Sequence, residues 1–161
     1  RFDQYMRGNK TTLTVDERAG FNLFAGKAAC ATCHFIPLFN GLTPPQFDDT
    51  ESEVLGVPAN KKQKKLDNDL GKYNFANASV HKYSFKTPTL RNVALTAPYM
   101  HNGVFKTLEE VVNFYDKGGG AGLGIAPPNQ TLSTERLNLS SKERKQIVSF
   151  LKALTDTTAA R

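Results

Sequence analysis

The sequence predicts an all-α domain with long irregular loops. Three observations point there. Capping-box tetrads open amphipathic segments near both ends of the chain. No stretch alternates apolar and polar residues strongly enough to read as a sheet. The middle, residues 26–106, is punctuated by Pro37, Pro44, Pro45, Pro58, Pro88 and Pro98 and by Gly41, Gly56 and Gly71. Irregular stretches of that length are unusual in a compact domain unless they wrap something functional.

The first helix is predicted from Thr14-Val15-Asp16-Glu17, with Ala19, Leu23 and Phe24 following, to about Ala25. The second opens at Thr107-Leu108-Glu109-Glu110. Its apolar residues Leu108, Val111, Val112 and Tyr115 recur at the i, i+3, i+4, i+7 spacing of one helical face. Gly118, Gly119 and Gly120 end it. The third opens at Ser140-Ser141-Lys142-Glu143 and carries Ile147, Val148, Leu151 and Leu154 on one face. A shorter helix is predicted over Ala59 to Leu66. The glycine-rich segment Gly118 to Gly124 follows a helix, not a strand, and lacks the Lys-Ser/Thr of a phosphate loop. It reads as a flexible surface connection. No internal repeat is found.

At 161 residues the chain fits one domain, 1–161, and can bury a real core. No apolar run approaches the ~18 residues that cross a membrane, so no membrane span is expected. It opens on Arg1, not Met, which reads as a processed product or a fragment. A net charge of +6 permits loose attraction to acidic partners but is too weak to imply nucleic-acid binding. The densest basic run is Lys61, Lys62, Lys64 and Lys65, with no aromatic residues interleaved. It reads as a solvated loop, with a docking patch for a redox partner as the second reading.

The two cysteines, Cys30 and Cys33, exclude a disulfide scaffold and sit in one motif, Cys30-Ala31-Thr32-Cys33-His34. Two intervening residues match the separation of the two vinyl groups of a haem, so each thiol can form a thioether and the adjacent histidine lies beneath the iron. That histidine separates the motif from a thiol-redox Cys-x-x-Cys, which would also want a βαβ context. A zinc site would need two further ligands, and the spacing of His81 and His101 fits no common zinc pattern. The motif therefore predicts one covalent haem c, with His34 on the iron and its other ring nitrogen donating to a backbone carbonyl of the Phe35-Ile36-Pro37 turn.

The other axial ligand decides the chemistry. Met6 lies in a polar arm and His81 in a polar stretch. Met100, in the rigid Ala97-Pro98-Tyr99-Met100-His101-Asn102-Gly103 segment, is attractive because methionine commonly partners histidine in c-type haems. Tyr115 competes from the apolar stripe of the second helix, since a buried tyrosine must place its hydroxyl somewhere. Composition and spacing leave the two open.

Four ordered segments carry a resemblance: Cys30 to His34; Leu55-Gly56-Val57-Pro58; Phe85-Lys86-Thr87-Pro88-Thr89-Leu90-Arg91-Asn92-Val93; and Thr96 to Gly103. Together they resemble the C-terminal haem domain of the bacterial dihaem cytochrome c peroxidase and MauG superfamily, from about Arg1 to Asp156. The resemblance implies a cytochrome c-like helical domain wrapped around one covalent haem. It also implies an electron-transfer role for the second half of a dihaem peroxidase-type oxidoreductase, relaying electrons to or from a peroxide-reacting haem in a missing N-terminal domain. In the family's peroxidases the distal methionine lies seventeen residues after the proline of the Ala-Pro-Tyr segment, which is Tyr115 here; in MauG-like members that position is tyrosine. The resemblance thus implies His34 and Tyr115 as axial ligands and Met100 as a packing residue. A phenolate favours ferric iron, whereas methionine raises the potential. It further implies calcium between the two domains, bound through the carbonyls of Thr96 and Pro98. Arg91 is implied to neutralise a haem propionate, the alternative being a surface ion pair. The expected partners are the N-terminal haem domain and a small redox protein or a protein substrate. The expected place is the periplasm, where such haems are attached. The family's second Cys-x-x-Cys-His is absent, so the alternative is a stand-alone monohaem electron carrier without peroxidase activity.

Overall fold

The computed structural model describes residues 1–62 and 65–156. Its helices are α1 (Phe2–Met6), α2 (Val15–Ala25), α3 (Tyr73–Ala76), α4 (Leu108–Asp116), α5 (Gly120–Leu123) and α6 (Ser141–Ala153). Short 3-10 turns cover Cys30–Thr32, Ser79–His81 and Val93–Leu95. The capping boxes of α2 and α6 form in full: the Thr14 and Ser140 hydroxyls accept from Glu17 N and Glu143 N, and each glutamate accepts in return from the cap backbone. That of α4 forms by half. Thr107 accepts from Glu110 N, but the Glu110 carboxylate accepts from Lys106 N at 2.6 Å and pairs with Lys61.

The all-α expectation needs one correction. Strands β1 (Ser52–Val54) and β2 (Ser84–Lys86) pair antiparallel, with Ser52 opposite Lys86 and Val54 opposite Ser84. Three-residue strands are too short to show alternation in the sequence. Among the described residues of the Ala59 to Leu66 segment the expected helix is not formed. Ala59 N donates to Lys65 O at 2.9 Å, and a bridge between Pro58 and Leu66 closes a loop instead. This polar lysine run has no apolar face to bury. Lys64 lies outside the described residues.

The core has two parts. In the larger, α2 and α6 pack with α1 and one side of α4 around Phe2, Phe24, Phe39 and Phe150, whose rings meet mostly edge to face. Gly20 lies at the α2–α6 contact: a Cβ there would overlap the Gln146 carbonyl oxygen. The smaller part holds Val57, Val104, Phe105 and Phe114, with Leu55, Met100, Val111 and Tyr115 against it. Helix α4 serves both. Leu108 and Val112 face the first and Val111 and Tyr115 the second, so the single stripe read from sequence is two adjacent i, i+4 rows.

The glycine segment is a surface connection only in its second half, where Gly122 and Gly124 are exposed. Gly118, Gly119 and Gly120 are buried, and α5 begins within them. Gly120 N donates to Leu55 O at 2.8 Å, and a Cβ on Gly56 (φ +71°) would come within 2.7 Å of Gly120 Cα. The Leu55-Gly56-Val57-Pro58 segment thus needs both glycines for backbone to meet backbone.

Candidate haem-attachment site

The turn Cys30–Thr32 follows α2 directly, entered through Ala29 at φ +51°. Residues three apart eclipse on a 3-10 turn, so Cys30 and Cys33 share a side, and His34 N donates to Cys30 O at 3.0 Å. The cysteines are not joined to each other. Burial pushes the Cys30 thiol up to about 12. It also raises Cys33, with Glu53 adding to the effect. Neither has the depressed pKa of a thiol redox centre.

His34 Nδ1 lies 3.1 Å from the Phe39 carbonyl, which can only accept. Nδ1 therefore carries the proton, and Nε2 keeps its lone pair for a metal. The carbonyl comes from Phe39, not from the Phe35-Ile36-Pro37 turn expected. Phe35 and Asn40 bridge across the loop, and Phe39 N donates back to Phe35 O at 2.6 Å; this turns the Phe39 carbonyl toward the imidazole. Burial lowers the His34 pKa, opposed by the carbonyls of Phe39 and Pro88. The ring is held neutral, the state that binds iron.

The Leu90-Arg91-Asn92 segment braces this carbonyl. Leu90 N donates to the same Phe39 O at 2.9 Å. Arg91 makes a two-pronged pair with Asp3 at 2.7 and 2.8 Å and donates to Pro37 O at 2.8 Å. Asn92 N reaches Leu154 O at the end of α6. The ion pair considered for Arg91 from sequence is thus the geometry found, with Asp3 as its partner.

Tyr115 stands on α4 against the smaller core, and its hydroxyl makes no hydrogen bond among the described residues. Its pKa is raised, first by burial, then by Cys30, Cys33 and Glu53. Its titrating atom is therefore within electrostatic reach of both cysteines. Such a site keeps the phenol neutral by itself; a ferric ion is the kind of charge that reverses that balance. Met100 packs on the same cluster, in a turn at φ +69° closed by Gly103 N to its carbonyl. The other candidates are engaged or remote. The His101 ring stacks on Phe85 at 3.7 Å, with Nε2 3.4 Å from Asp67 Oδ1. His81 lies in the Ser79–His81 turn, and Met6 is 54% exposed. Thr96 and Pro98 are exposed, and neither carbonyl accepts a hydrogen bond from another described group.

Sequence reasoning missed one neighbour. Cys33 Sγ and the carboxylates of Glu51 and Glu53 lie within 4.8 Å of one another. No motif marks these glutamates; β1 brings them there. The donor set suits a haem: paired unlinked thiols, an imidazole braced through Nδ1, and a half-buried phenol whose hydroxyl makes no hydrogen bond among the described residues.

No family model matches the chain. It is 34% identical over 175 residues to cytochrome-c peroxidase IdrP2 of Denitromonas iodatirespirans, covering 95% of this chain and 43% of that protein. It is 35% identical over 161 residues to the methylamine utilization protein MauG of Methylorubrum extorquens, covering 99% of this chain and 40% of that one. The chain belongs to the cytochrome c peroxidase and MauG family. Its fold matches the crystal structure of a MauG-like protein associated with microbial copper homeostasis. The TM-score is 0.77 at 27% identity, over 96% of this chain and 51% of that one. The chain thus spans less than half the length of these two family relatives. No helix among the described residues is long and apolar enough to cross a membrane.

Proposed function

We propose that this chain is the C-terminal, electron-relay half of a dihaem peroxidase-type protein of the periplasm. Cys30 and Cys33 would hold one haem c by thioethers, and His34 Nε2 and the Tyr115 hydroxyl would ligate its iron. When bound, the haem supplies a one-electron store. The chain's own residues supply the rest. Phe39 and Leu90 fix the imidazole tautomer and ring plane. Tyr115 would ligate ferric iron as the phenolate, its proton passing to solvent. The partner is an N-terminal haem domain, to or from which electrons pass, with a small redox protein or a protein substrate beyond it. Calcium fits the free carbonyls of Thr96 and Pro98, completed by oxygens of the other domain.

The observation that carries this reading is the pair of unlinked thiols on one turn followed by an imidazole whose Nδ1 is already engaged, with the Tyr115 hydroxyl left without a hydrogen bond among the described residues. If His34 and Tyr115 both ligate the iron, peroxide would find no open position, and the domain alone is expected to turn it over poorly. The test is the ferric spectrum of the haem-loaded protein with Tyr115→Met and Met100→Leu. Tyr115→Met is expected to replace a phenolate signature with a far-red methionine-to-iron band, and Met100→Leu to leave the wild-type spectrum intact. The opposite pattern overturns the ligand assignment.

A further inference from the structure

We propose that the Glu53 carboxylate is the fixed negative charge that holds the potential of this haem low, acting from beside the Cys33 thioether. The inference rests on the haem reading above. Glu53 sits mid-strand in β1, opposite Phe85 of β2, so the sheet fixes its backbone. Its side chain is fixed by Thr131. That hydroxyl accepts from Val54 N at 2.8 Å, which leaves its single proton to donate to Glu53 Oε2 at 2.5 Å. Thr131 N in turn reaches Val54 O at 3.0 Å. The carboxylate lies within 4.8 Å of Cys33 Sγ, and no Lys or Arg pairs with it among the described residues. Among those residues Glu53 is also the side chain whose charge acts on Cys33, His34 and Tyr115 alike. It therefore lies beside one attaching thiol and acts on both groups that would ligate the iron.

An unneutralised anion there stabilises the more positive, ferric state of the iron. In a medium of effective dielectric about 20, one unpaired charge near the site is expected to change the ferric-to-ferrous ratio roughly tenfold. For one electron that is about 59 mV. The sheet contributes strength as well as position, because a carboxylate that cannot swing away cannot be screened by rotating into solvent. Glu51 reaches Cys33 too but does not act on His34 or Tyr115, so its influence is the smaller.

The experiment is a redox titration of the haem-loaded protein. Glu53→Gln is expected to raise the midpoint by about 59 mV, a tenfold shift toward ferrous. Glu53→Asp, which keeps the charge, is expected to stay near wild type. Thr131→Val removes the hydrogen bond but leaves the charge, and its shift is expected to be smaller than that of Glu53→Gln. Glu51→Gln is likewise expected to shift less. An unchanged midpoint in haem-loaded Glu53→Gln, or equal shifts in Glu53→Gln and Thr131→Val, overturns the proposal and leaves the haem reading standing. A wild-type chain that carries no covalent haem overturns both.

Discussion

Phe39 joins the core to the site within one residue. Its ring is fully buried among Phe2, Phe24 and Phe150, while its carbonyl receives both His34 Nδ1 and Leu90 N. A shift of the core is therefore a shift of the imidazole. Arg91 extends the chain of contacts from Pro37 O to Asp3 and so pins α1, with Phe2 beneath it. The guanidinium's hydrogen bond and charge hold the Asp3 carboxyl below its usual value, despite the opposing effect of burial. The folded pKa is depressed, so this stabilisation is full above the unfolded pKa, about 3.9. It is lost as pH falls through the folded value. Glu17 behaves alike: burial raises it, but hydrogen bonds from Arg1 and Thr14 outweigh that and leave it lowered. Because the Arg91–Asp3 pair is largely exposed, Arg91→Ala is expected to cost only about 1 kcal/mol at pH 7. That cost is expected to shrink once Asp3 is protonated. Urea midpoints at pH 7 and pH 3 check it, and an equal loss at both would mean packing, not charge, is responsible.

At the scale of elements, α2 and α6 were legible to the residue because capping boxes are local chemistry: a hydroxyl and a glutamate three positions apart announce a helix start. The small sheet and α5 were not, because their causes are distant in sequence. Gly120 is buried only because Leu55 and Gly56 lie against it. The clearest case is Gly20, an apparent weak point inside a helix that marks where α2 meets α6. Its missing Cβ leaves room for the Gln146 carbonyl, and Phe150 Cβ would stand only 2.8 Å away. Gly20→Ala would gain helix propensity of about 1 kcal/mol. It must instead push two helices apart, at a cost of about 1–3 kcal/mol or more. A net loss of stability is expected by thermal melting, and a gain would show that the contact is looser than described.

Across the whole molecule, the attachment motif was legible because thioether chemistry demands a fixed spacing. The brace on His34 and the charge of Glu53 were not, because backbone carbonyls and three-residue strands leave no mark on a sequence. Met100 and Tyr115 could not be separated by composition. The fold puts both in one cluster, so the choice between them falls to the spectra of the two variants. The chain matches only part of its relatives' length, so the proposed electron relay needs another half, whereas covalent haem attachment can be tested on this chain alone. The most direct measurement is therefore the intact mass of denatured protein made in a host that matures c-type cytochromes, read with thiol alkylation and a pyridine haemochrome spectrum. One haem retained through denaturation, with neither Cys30 nor Cys33 alkylated, is the expected result. A colourless chain with two reactive thiols would contradict it.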